Sequence, residues 1–181
     1  SVCAGLKVSA LENWAGNGIP VVRTMPNRPA LVGAGATGLY APATVSKEDR
    51  ARAESVMRAT GEVVWVEEEG LIDAVTALSG SGPAYFFHLA ELMAQAGVDL
   101  GLAPDTARRL AVATLYGAGL LARSGDGDLE RLRAEVTSKG GTTEAALKVM
   151  QAADLRGIVG RAMDAAARRG GELAAQFGDK K

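Results

Sequence analysis

The densest set of residues able to bind a small anion lies at residues 137–144, Thr-Ser-Lys-Gly-Gly-Thr-Thr-Glu. An apolar stretch with helical spacing follows, so the segment stands at the start of a predicted helix. The first N–H groups of a helix have no carbonyl partner within it, and two consecutive glycines allow such groups to converge on one oxyanion. The hydroxyl cluster therefore favours a carboxylate or phosphate ligand, and the alternative is an ordinary threonine N-cap.

A second candidate is the glycine-rich junction at residues 79–85, Ser-Gly-Ser-Gly-Pro-Ala-Tyr, which joins two apolar helical stretches. Gly80 and Gly82 allow the backbone to approach another group closely, and Pro83 suits the first turn of the following helix. The junction is either a backbone surface for a flat ligand or a plain kink between two helices.

Two further sequence patterns give weaker evidence for a functional site. Residues 33–38, Gly-Ala-Gly-Ala-Thr-Gly, match the dinucleotide fingerprint G-x-G-x-x-G, which needs a helix that opens inside it. Pro42 follows within four residues and the next predicted helix begins only at Ser46, so we predict a glycine-rich turn that feeds an edge strand. His88 is the single histidine and Cys3 the single cysteine, so neither a metal site nor a Ser-His-Asp triad is expected.

Strands and helices alternate in the first part of the chain, and helices alone follow. Strands are predicted at residues 2–4, 19–24, 36–40 and 62–66, with helices at 9–15 and from 46 to about 60. Ser9 and Ser46, each followed three residues later by an acid, are the predicted N-caps of these helices. Six more helices are predicted at residues 69–78, 82–98, 104–123, 128–136, 142–151 and 154–176. This order indicates α/β followed by all-α, with half of a doubly wound domain first.

Composition narrows the class of protein. The 181 residues are 48% apolar but only 4% aromatic, which favours helices packed closely through Ala, Leu and Val. A net charge of −1 argues against a nucleic-acid partner, and no apolar run has the roughly 18 residues needed to span a membrane. A single cysteine fits a reducing compartment, so the expected location is cytoplasmic. The first residues are small β-formers without a methionine, so the sequence is expected to be a fragment.

Two more segments carry a family resemblance together with the two glycine-rich segments above. They are residues 1–5, Ser-Val-Cys-Ala-Gly, and residues 23–35, which contain Met-Pro-Asn-Arg-Pro. Together they resemble the pyrroline-5-carboxylate reductase family. The first block is similar to the family's strand at the nicotinamide end of its Rossmann sheet, and the second to its Met-Pro-Asn-Thr-Pro segment. The most specific match is the pair formed by residues 79–85 and 136–147.

That resemblance implies a fold, an activity and an assembly. Members have an N-terminal Rossmann domain and a C-terminal helical domain that dimerises by interlocking. They transfer hydride from NADPH or NADH to 1-pyrroline-5-carboxylate, which gives L-proline. By resemblance, residues 1–68 are the C-terminal portion of the Rossmann domain and residues 69–181 the helical dimerisation and substrate-binding domain of a homodimer or higher homo-oligomer. The family's true G-x-G-x-x-G would lie in roughly 90 to 100 residues upstream of Ser1.

The resemblance also assigns roles to residues. Thr143 would be the catalytic residue, and the substrate would be held by Ser138, Gly140, Gly141, Thr142 and Thr143. The cofactor would be bound by Ala4, Gly5, Met25, Pro26, Asn27, Gly82 and Pro83. No metal is implied. Two residues depart from the family pattern: Lys139 replaces a proline of many members, which implies a loop of different stiffness, and Arg28 replaces a threonine.

Two other readings of the sequence stay open. One is a helical dimerisation module that lacks redox activity as the chain stands. The other is a different dehydrogenase with a Rossmann domain and helices, such as a hydroxyacid dehydrogenase, which would place a catalytic lysine or histidine in the helical part. The single histidine lies within a predicted helix beside Phe86 and Phe87, which argues against the second reading.

Overall fold

The computed structural model describes residues 1–16, 18–125 and 127–178. They group into two compact units, one made of Ser1–Pro83 with the chain from Gly160 onward, the other of Ala84–Val159. The predicted fold class, α/β followed by all-α, is confirmed, because all described strands precede residue 66 and helices follow. This grouping by contacts does not fix the domain boundary at residues 68 and 69, which stays a prediction.

One three-stranded sheet forms the centre of the first unit. Its strands are β1 (Arg23–Met25), β2 (Gly35–Tyr40) and β3 (Gly61–Trp65), in the order β1-β2-β3. The pair β2–β3 is parallel, while β1 runs antiparallel to β2 with Arg23 opposite Tyr40. The parallel pair has a helix between its strands, whereas only a short 3-10 helix (Arg28–Val32) separates β1 from β2. The predicted edge position of β2 is therefore wrong, since it is the middle strand of this sheet.

The sheet also corrects the predicted strands near the start of the chain. Val2 and Cys3 are irregular and Ala4 and Gly5 form a turn, so the predicted strand at 2–4 does not form. Ser1 alone pairs with the chain at β1: its amino group donates to Val22 O and its carbonyl accepts from Thr24 N–H, both at 2.7 Å. The second strand covers only residues 23–25, because the pairing with β2 extends no further.

Helix α1 (Val8–Ala15) is capped from a distant part of the sequence. Ser9 lies inside its first turn, so the predicted serine cap is wrong. The N–H of Val8 donates instead to Glu69 Oε1 at 2.7 Å. Local spacing cannot predict a cap that comes from 61 residues away. Glu69 nevertheless does what a local cap would do, because it accepts from a first-turn N–H group that has no carbonyl partner within the helix.

Helix α2 (Lys47–Arg58) begins as the sequence predicts. Ser46 Oγ accepts from the Asp49 N–H at 3.1 Å and donates to Asp49 Oδ2 at 2.6 Å. The helix is tied to β3 by the Trp65 indole, which donates to Glu54 Oε2 at 2.8 Å. That hydrogen bond and the neighbouring Arg58 hold the pKa of Glu54 below its ordinary value.

Ser46→Ala is expected to lower the free energy of unfolding by about 1 kcal/mol, because the Asp49 N–H loses its acceptor. Ser55→Ala is the matched control, since Ser55 is exposed in the middle of the same helix and alanine favours a helix interior. Urea unfolding of both variants measures the difference. Equal stability of the two would contradict the capping role.

Helices make up the rest of the described chain. They are α3 (Leu71–Val75), α4 (Gly82–Asp99), α5 (Pro104–Ser124), α6 (Leu129–Glu135), α7 (Thr142–Ala152) and α8 (Leu155–Gly178). The six predicted helices are thus confirmed with small shifts of their ends. One feature was not predicted: a π-helical turn, Thr76–Gly80, lies between α3 and α4.

The two units differ in how much apolar surface they bury. In the first, Leu39 and Ile72 are fully buried between the sheet and α3. Among the described residues of Ala84–Val159, only Ala107 and Ala111 are buried apolar residues. Large side chains such as Phe86, with 59% of its surface exposed, stay open to solvent there. The helical unit therefore carries far more uncovered apolar surface than single scattered residues would give.

Candidate functional site

The glycine- and hydroxyl-rich loop does open a helix. α7 begins at Thr142, with Gly141 at the N-cap in extended conformation and no side chain capping it among the described residues. Gly140 has φ +74°, in the left-handed region that favours glycine, so the loop turns sharply just before the helix. A Cβ placed on Gly141 would collide with Ser138 Oγ, which shows how closely that hydroxyl lies to the helix start.

The N–H groups available to a ligand begin at Thr142. Gly141 N–H donates to Ser138 O at 3.0 Å and Gly140 N–H to Glu144 Oε2 at 2.7 Å, so both serve the loop itself. The first helical bond runs from Ala145 N–H to Gly141 O. The preceding three N–H groups, of residues 142–144, therefore point out of the helix end, where the dipole favours an anion.

Thr143 brings a hydroxyl to this helix end. Its side chain is half-buried, and within the described ranges no hydrogen bond engages its hydroxyl. The Glu144 carboxylate accepts a hydrogen bond from the Gly140 N–H and forms an ion pair with Lys148, whose Nζ lies 3.3 Å from Glu144 Oε1. The structural role of Glu144 was not predicted. Glu144 stands three residues after the N-cap Gly141, the position from which an acid reaches back in a capping box, but here it accepts from the N–H of Gly140, one residue before the cap. The helix end thus offers N–H groups and three hydroxyls without a partner among the described residues, those of Ser138, Thr142 and Thr143. Ser138 and Thr142 are exposed, whereas Thr143 is half-buried.

Several predicted cofactor residues come together in the first unit. Asn27 Nδ2 donates to Ser79 O and Asn27 Oδ1 accepts from Ala36 N–H, both at 2.9 Å. A Cβ added to Gly80 would lie 2.9 Å from Met25 Cε, so the Met25 side chain covers that glycine. The segment of Met25, Pro26 and Asn27 is therefore joined to the junction at residues 79–83.

Gly82 and Pro83 begin α4 next to this junction. Gly82 is buried, its φ is outside the left-handed region, and nothing described lies within 4 Å of the place where its Cβ would be. Pro83 is half-buried at the second helical position, where its missing N–H costs no helical bond. The Cβ face of Gly82 is thus open in this chain.

Ala4 and Gly5 lie elsewhere in the first unit. Gly5 has φ +74° and is buried against α8, where an added Cβ would lie 3.2 Å from the Leu173 carbonyl carbon. Ser1 is the residue of this block that pairs with β1. The role of Ala4 and Gly5 in cofactor binding stays a prediction.

An ion network around the buried Arg23 of β1 was missed from the sequence. Arg23 is only 4% exposed; its Nη1 lies 3.3 Å from Glu69 Oε1 and its Nη2 3.9 Å from Asp73 Oδ1. Because Glu69 also caps α1, one carboxylate connects α1, β1 and the start of α3. A cavity of about 340 Å³ borders this network, lined also by Lys7 and Gly171. The sequence feature that could have indicated this network is Arg23 itself, because a charged residue in a short buried strand needs an acidic partner.

The predicted site residues therefore form two groups, each within one unit. The substrate-loop residues 138–143 belong to Ala84–Val159, and the predicted cofactor residues belong to Ser1–Pro83. No set of three or more histidine, cysteine, aspartate or glutamate side chains in the described ranges is placed to hold a metal ion. None of the helices that the structure describes combines the length and apolar character needed to cross a membrane.

Comparison with known proteins identifies relatives along the chain. A family model described as pyrroline-5-carboxylate reductase dimerisation matches residues 69–173. A protein of Pseudomonas aeruginosa named pyrroline-5-carboxylate reductase is 48% identical over 178 residues, which are 98% of this chain and 65% of that protein. One of the same name from Corynebacterium melassecola is 42% identical over 173 residues, 96% of this chain and 64% of its own length. The chain thus spans slightly less than two thirds of these relatives.

Solved structures agree with this match. A pyrroline-5-carboxylate reductase from Coxiella burnetii superposes with a TM-score of 0.92 at 44% identity, covering 96% of this chain and 64% of that one. A pyrroline carboxylate reductase from Plasmodium falciparum, solved with NADP bound, gives a TM-score of 0.84 at 28% identity over 96% of this chain and 70% of its own. The backbone described above is therefore close to that of known enzymes.

Proposed function

The chain belongs to the pyrroline-5-carboxylate reductase family, and from that premise we propose that the whole protein reduces 1-pyrroline-5-carboxylate to L-proline with NADPH or NADH. The observation that carries the proposal is the start of α7, where outward N–H groups stand beside the uncommitted hydroxyl of Thr143. The names of the relatives and the NADP bound to the Plasmodium falciparum enzyme support it. The proposed location is cytoplasmic.

The substrate's carboxylate is proposed to sit on the helix end. The N–H groups of Thr142 and Thr143 would bind its oxygens, and Ser138 Oγ lies beside the same helix start. Gly140 and Gly141 act by shaping the loop, because their own N–H groups are already donated within it. Anchoring the carboxylate fixes where the imine carbon lies, and orientation of this kind is worth several kcal/mol of the barrier.

The imine nitrogen is the second substrate atom that needs an interaction with the site, because it becomes an amine during the reaction. Hydride from the dihydronicotinamide attacks the carbon of the C=N bond, and the electron pair of the broken π bond moves to nitrogen, which becomes an amine. A threonine hydroxyl is too weak an acid to supply the proton alone, so the proton comes from water or is already on the imine. The Thr143 hydroxyl is proposed to bind that nitrogen.

The cofactor is proposed to lie along the first unit. Met25, Pro26 and Asn27 would line it with their backbone, Gly82 and Pro83 would lie against it, and Ala4 and Gly5 complete the set. The cofactor supplies the hydride, and the chain orients it. We further propose that residues 1–68 belong to the cofactor-binding domain and residues 69–181 to the helical domain that also binds substrate.

The helical unit is proposed to form a homodimer or a larger homo-oligomer. It leaves side chains such as Phe87 and Leu121 about 60% exposed, which is costly in water unless a second copy covers them. The family model that matches residues 69–173 is itself named for dimerisation.

Sedimentation of the whole protein at micromolar concentration is expected to give at least twice the mass of one chain. Leu121→Lys should weaken the assembly, because it places a charge on the exposed apolar face of α5. Leu31→Lys is the matched control, since Leu31 is 80% exposed but lies in the first unit. A stable monomer of the unmodified protein would overturn the proposed assembly.

The test of the activity itself is oxidation of NADPH and of NADH by the whole protein with pyrroline-5-carboxylate. Loss of absorbance at the dihydronicotinamide band should depend on the substrate and yield L-proline. Absence of substrate-dependent oxidation with either cofactor would overturn the proposed function.

A further inference from the structure

Asn27 holds together three segments that converge at the proposed cofactor surface. Its amide joins the end of β1 to the first residues of β2 through Ala36 and to the π turn through Ser79. We propose that Asn27 is a positioning residue: its side chain fixes the π turn and so places the backbone of Gly80–Pro83, and that side chain is not itself a ligand of the cofactor. The link to turnover rests on the proposed function, while the fixing of the turn does not.

The carbonyl of Ser79 receives its donor from outside its helix. In a continuing α-helix it would accept from the N–H of residue 83, but residue 83 is proline and has none. Ser81 N–H reaches back five residues to Thr76 O at 2.8 Å, which is the π-helical bond of this turn. A half-buried carbonyl left without a donor would be costly, and Asn27 Nδ2 supplies one.

The orientation of the Asn27 amide follows from its partners. Ala36 contributes an N–H, so the atom facing it must be the oxygen, and Ser79 contributes a carbonyl, so the atom facing it must be the nitrogen. Each end of the amide is therefore committed to the protein. An amide tied down at both ends is better suited to hold the backbone than to recognise a ligand.

The hydroxyls of the turn cannot replace Asn27. Thr76 Oγ1 donates to Ile72 O at 2.7 Å and Ser79 Oγ donates to Val75 O at 3.0 Å, so both return to their own helix. Met25 Cε packs over Gly80. The segment Met25–Asn27 thus meets the turn through one apolar contact and one hydrogen bond, and the hydrogen bond is the directional one.

The variant Asn27→Asp distinguishes a side chain that fixes the π turn from one that binds the cofactor directly. The new carboxyl keeps an acceptor for Ala36 N–H but faces Ser79 O with an oxygen, so the donor is lost and two oxygens repel. The facing carbonyl raises the pKa of that carboxyl, and its protonated form can donate to Ser79 O. The charged residues nearest along the chain are Arg23, paired with Glu69, and the exposed Arg28.

Hydrogen exchange of the whole protein tests the fixing of the turn without any substrate. At neutral pH the amides of residues 79–82 should exchange about fivefold to tenfold faster in Asn27→Asp than in the unmodified protein, as expected for one lost hydrogen bond. Asn27→Ala should show the same acceleration. Asn13→Asp, the same change at an exposed position in α1, is the control and should leave these amides unchanged. Unchanged exchange in both Asn27 variants would overturn the proposal.

Kinetics then distinguish this role from direct binding. Asn27→Asp should lower kcat about fivefold at neutral pH with less than a twofold change in cofactor KM, and kcat should recover as the pH is lowered, unlike that of Asn27→Ala. A large rise in cofactor KM without faster exchange would show that Asn27 binds the cofactor and would overturn the proposal. If the unmodified protein shows no reductase activity, the proposed function fails, and the exchange result still decides whether Asn27 fixes the turn.

Discussion

Thr143→Ala is expected to lower kcat/KM for pyrroline-5-carboxylate by roughly 10-fold or more. Thr143 is a half-buried residue on the first turn of α7, and its hydroxyl has no partner in the part of the chain that the structure describes, so it is available to a ligand. A hydrogen bond to a charged group contributes about 1.5–3 kcal/mol, and the loss of such a bond sets the size of the expected effect.

The loss should fall mainly on kcat if the hydroxyl binds the nitrogen. On a neutral imine, hydride transfer builds electron density on nitrogen, so a hydrogen bond donated to it by the Thr143 hydroxyl strengthens in the transition state, whereas the carboxylate stays anchored throughout. Backbone N–H groups survive substitution of a side chain, so the anchor at Thr142 and Thr143 should persist in the variant. KM for the substrate is therefore expected to change less than kcat.

Two companion variants sharpen this test of Thr143. Thr143→Ser keeps the hydroxyl and should retain much of the activity, while Thr143→Val keeps the shape and should behave like Thr143→Ala. The whole protein is assayed for NADPH or NADH oxidation, and its melting temperature is followed in parallel to exclude unfolding. If Thr143→Ala matched the unmodified protein within about twofold, Thr143 would lose its proposed role.

Sequence reasoning succeeded where the local pattern alone decides the structure. Ser46 with Asp49 formed the cap it predicted, and Pro104 begins α5 as its lack of an N–H suggests. The glycines and hydroxyls before α7 were recognised as a helix start, because the first N–H groups of every helix lack a carbonyl partner within it. The helices of the second part were found because their apolar spacing extends over many residues.

The misses arise where a distant residue supplies the deciding contact. Ser9 had the spacing of a cap, but Glu69 caps α1 from across the unit. The Ser79 carbonyl of the π turn accepts from Asn27, which lies 52 residues earlier in the chain. Pro83 was a readable clue, since its missing N–H leaves Ser79 O in need of a donor, but the sequence does not say which side chain provides it.

Gly82→Val is expected to raise the cofactor KM about 10-fold or to abolish turnover, with little loss of stability. An added side chain at Gly82 meets nothing within 4 Å in the described chain, and φ there is permissive, so folding has no reason to fail. Gly82 is nevertheless buried at the junction that Asn27 and Met25 hold, beside the proposed cofactor surface. Filling space that a ligand needs costs about 1–3 kcal/mol, which corresponds to the expected loss.

A graded pair of variants and one control decide whether a ligand lies against Gly82. Gly82→Ala should be less harmful than Gly82→Val, because the methyl group occupies less of the same space. Gly70→Ala is the control: Gly70 also lies at a helix start with ordinary φ and nothing within 4 Å of its Cβ position, but belongs to neither predicted group. Cofactor KM, melting temperature and sedimentation are measured on each whole protein. A partner subunit against Gly82 would instead show as a loss of assembly. Unchanged kinetics in Gly82→Val with an intact fold and assembly would mean that no cofactor contacts this backbone, because a ligand in contact with it could not tolerate the added methyl groups.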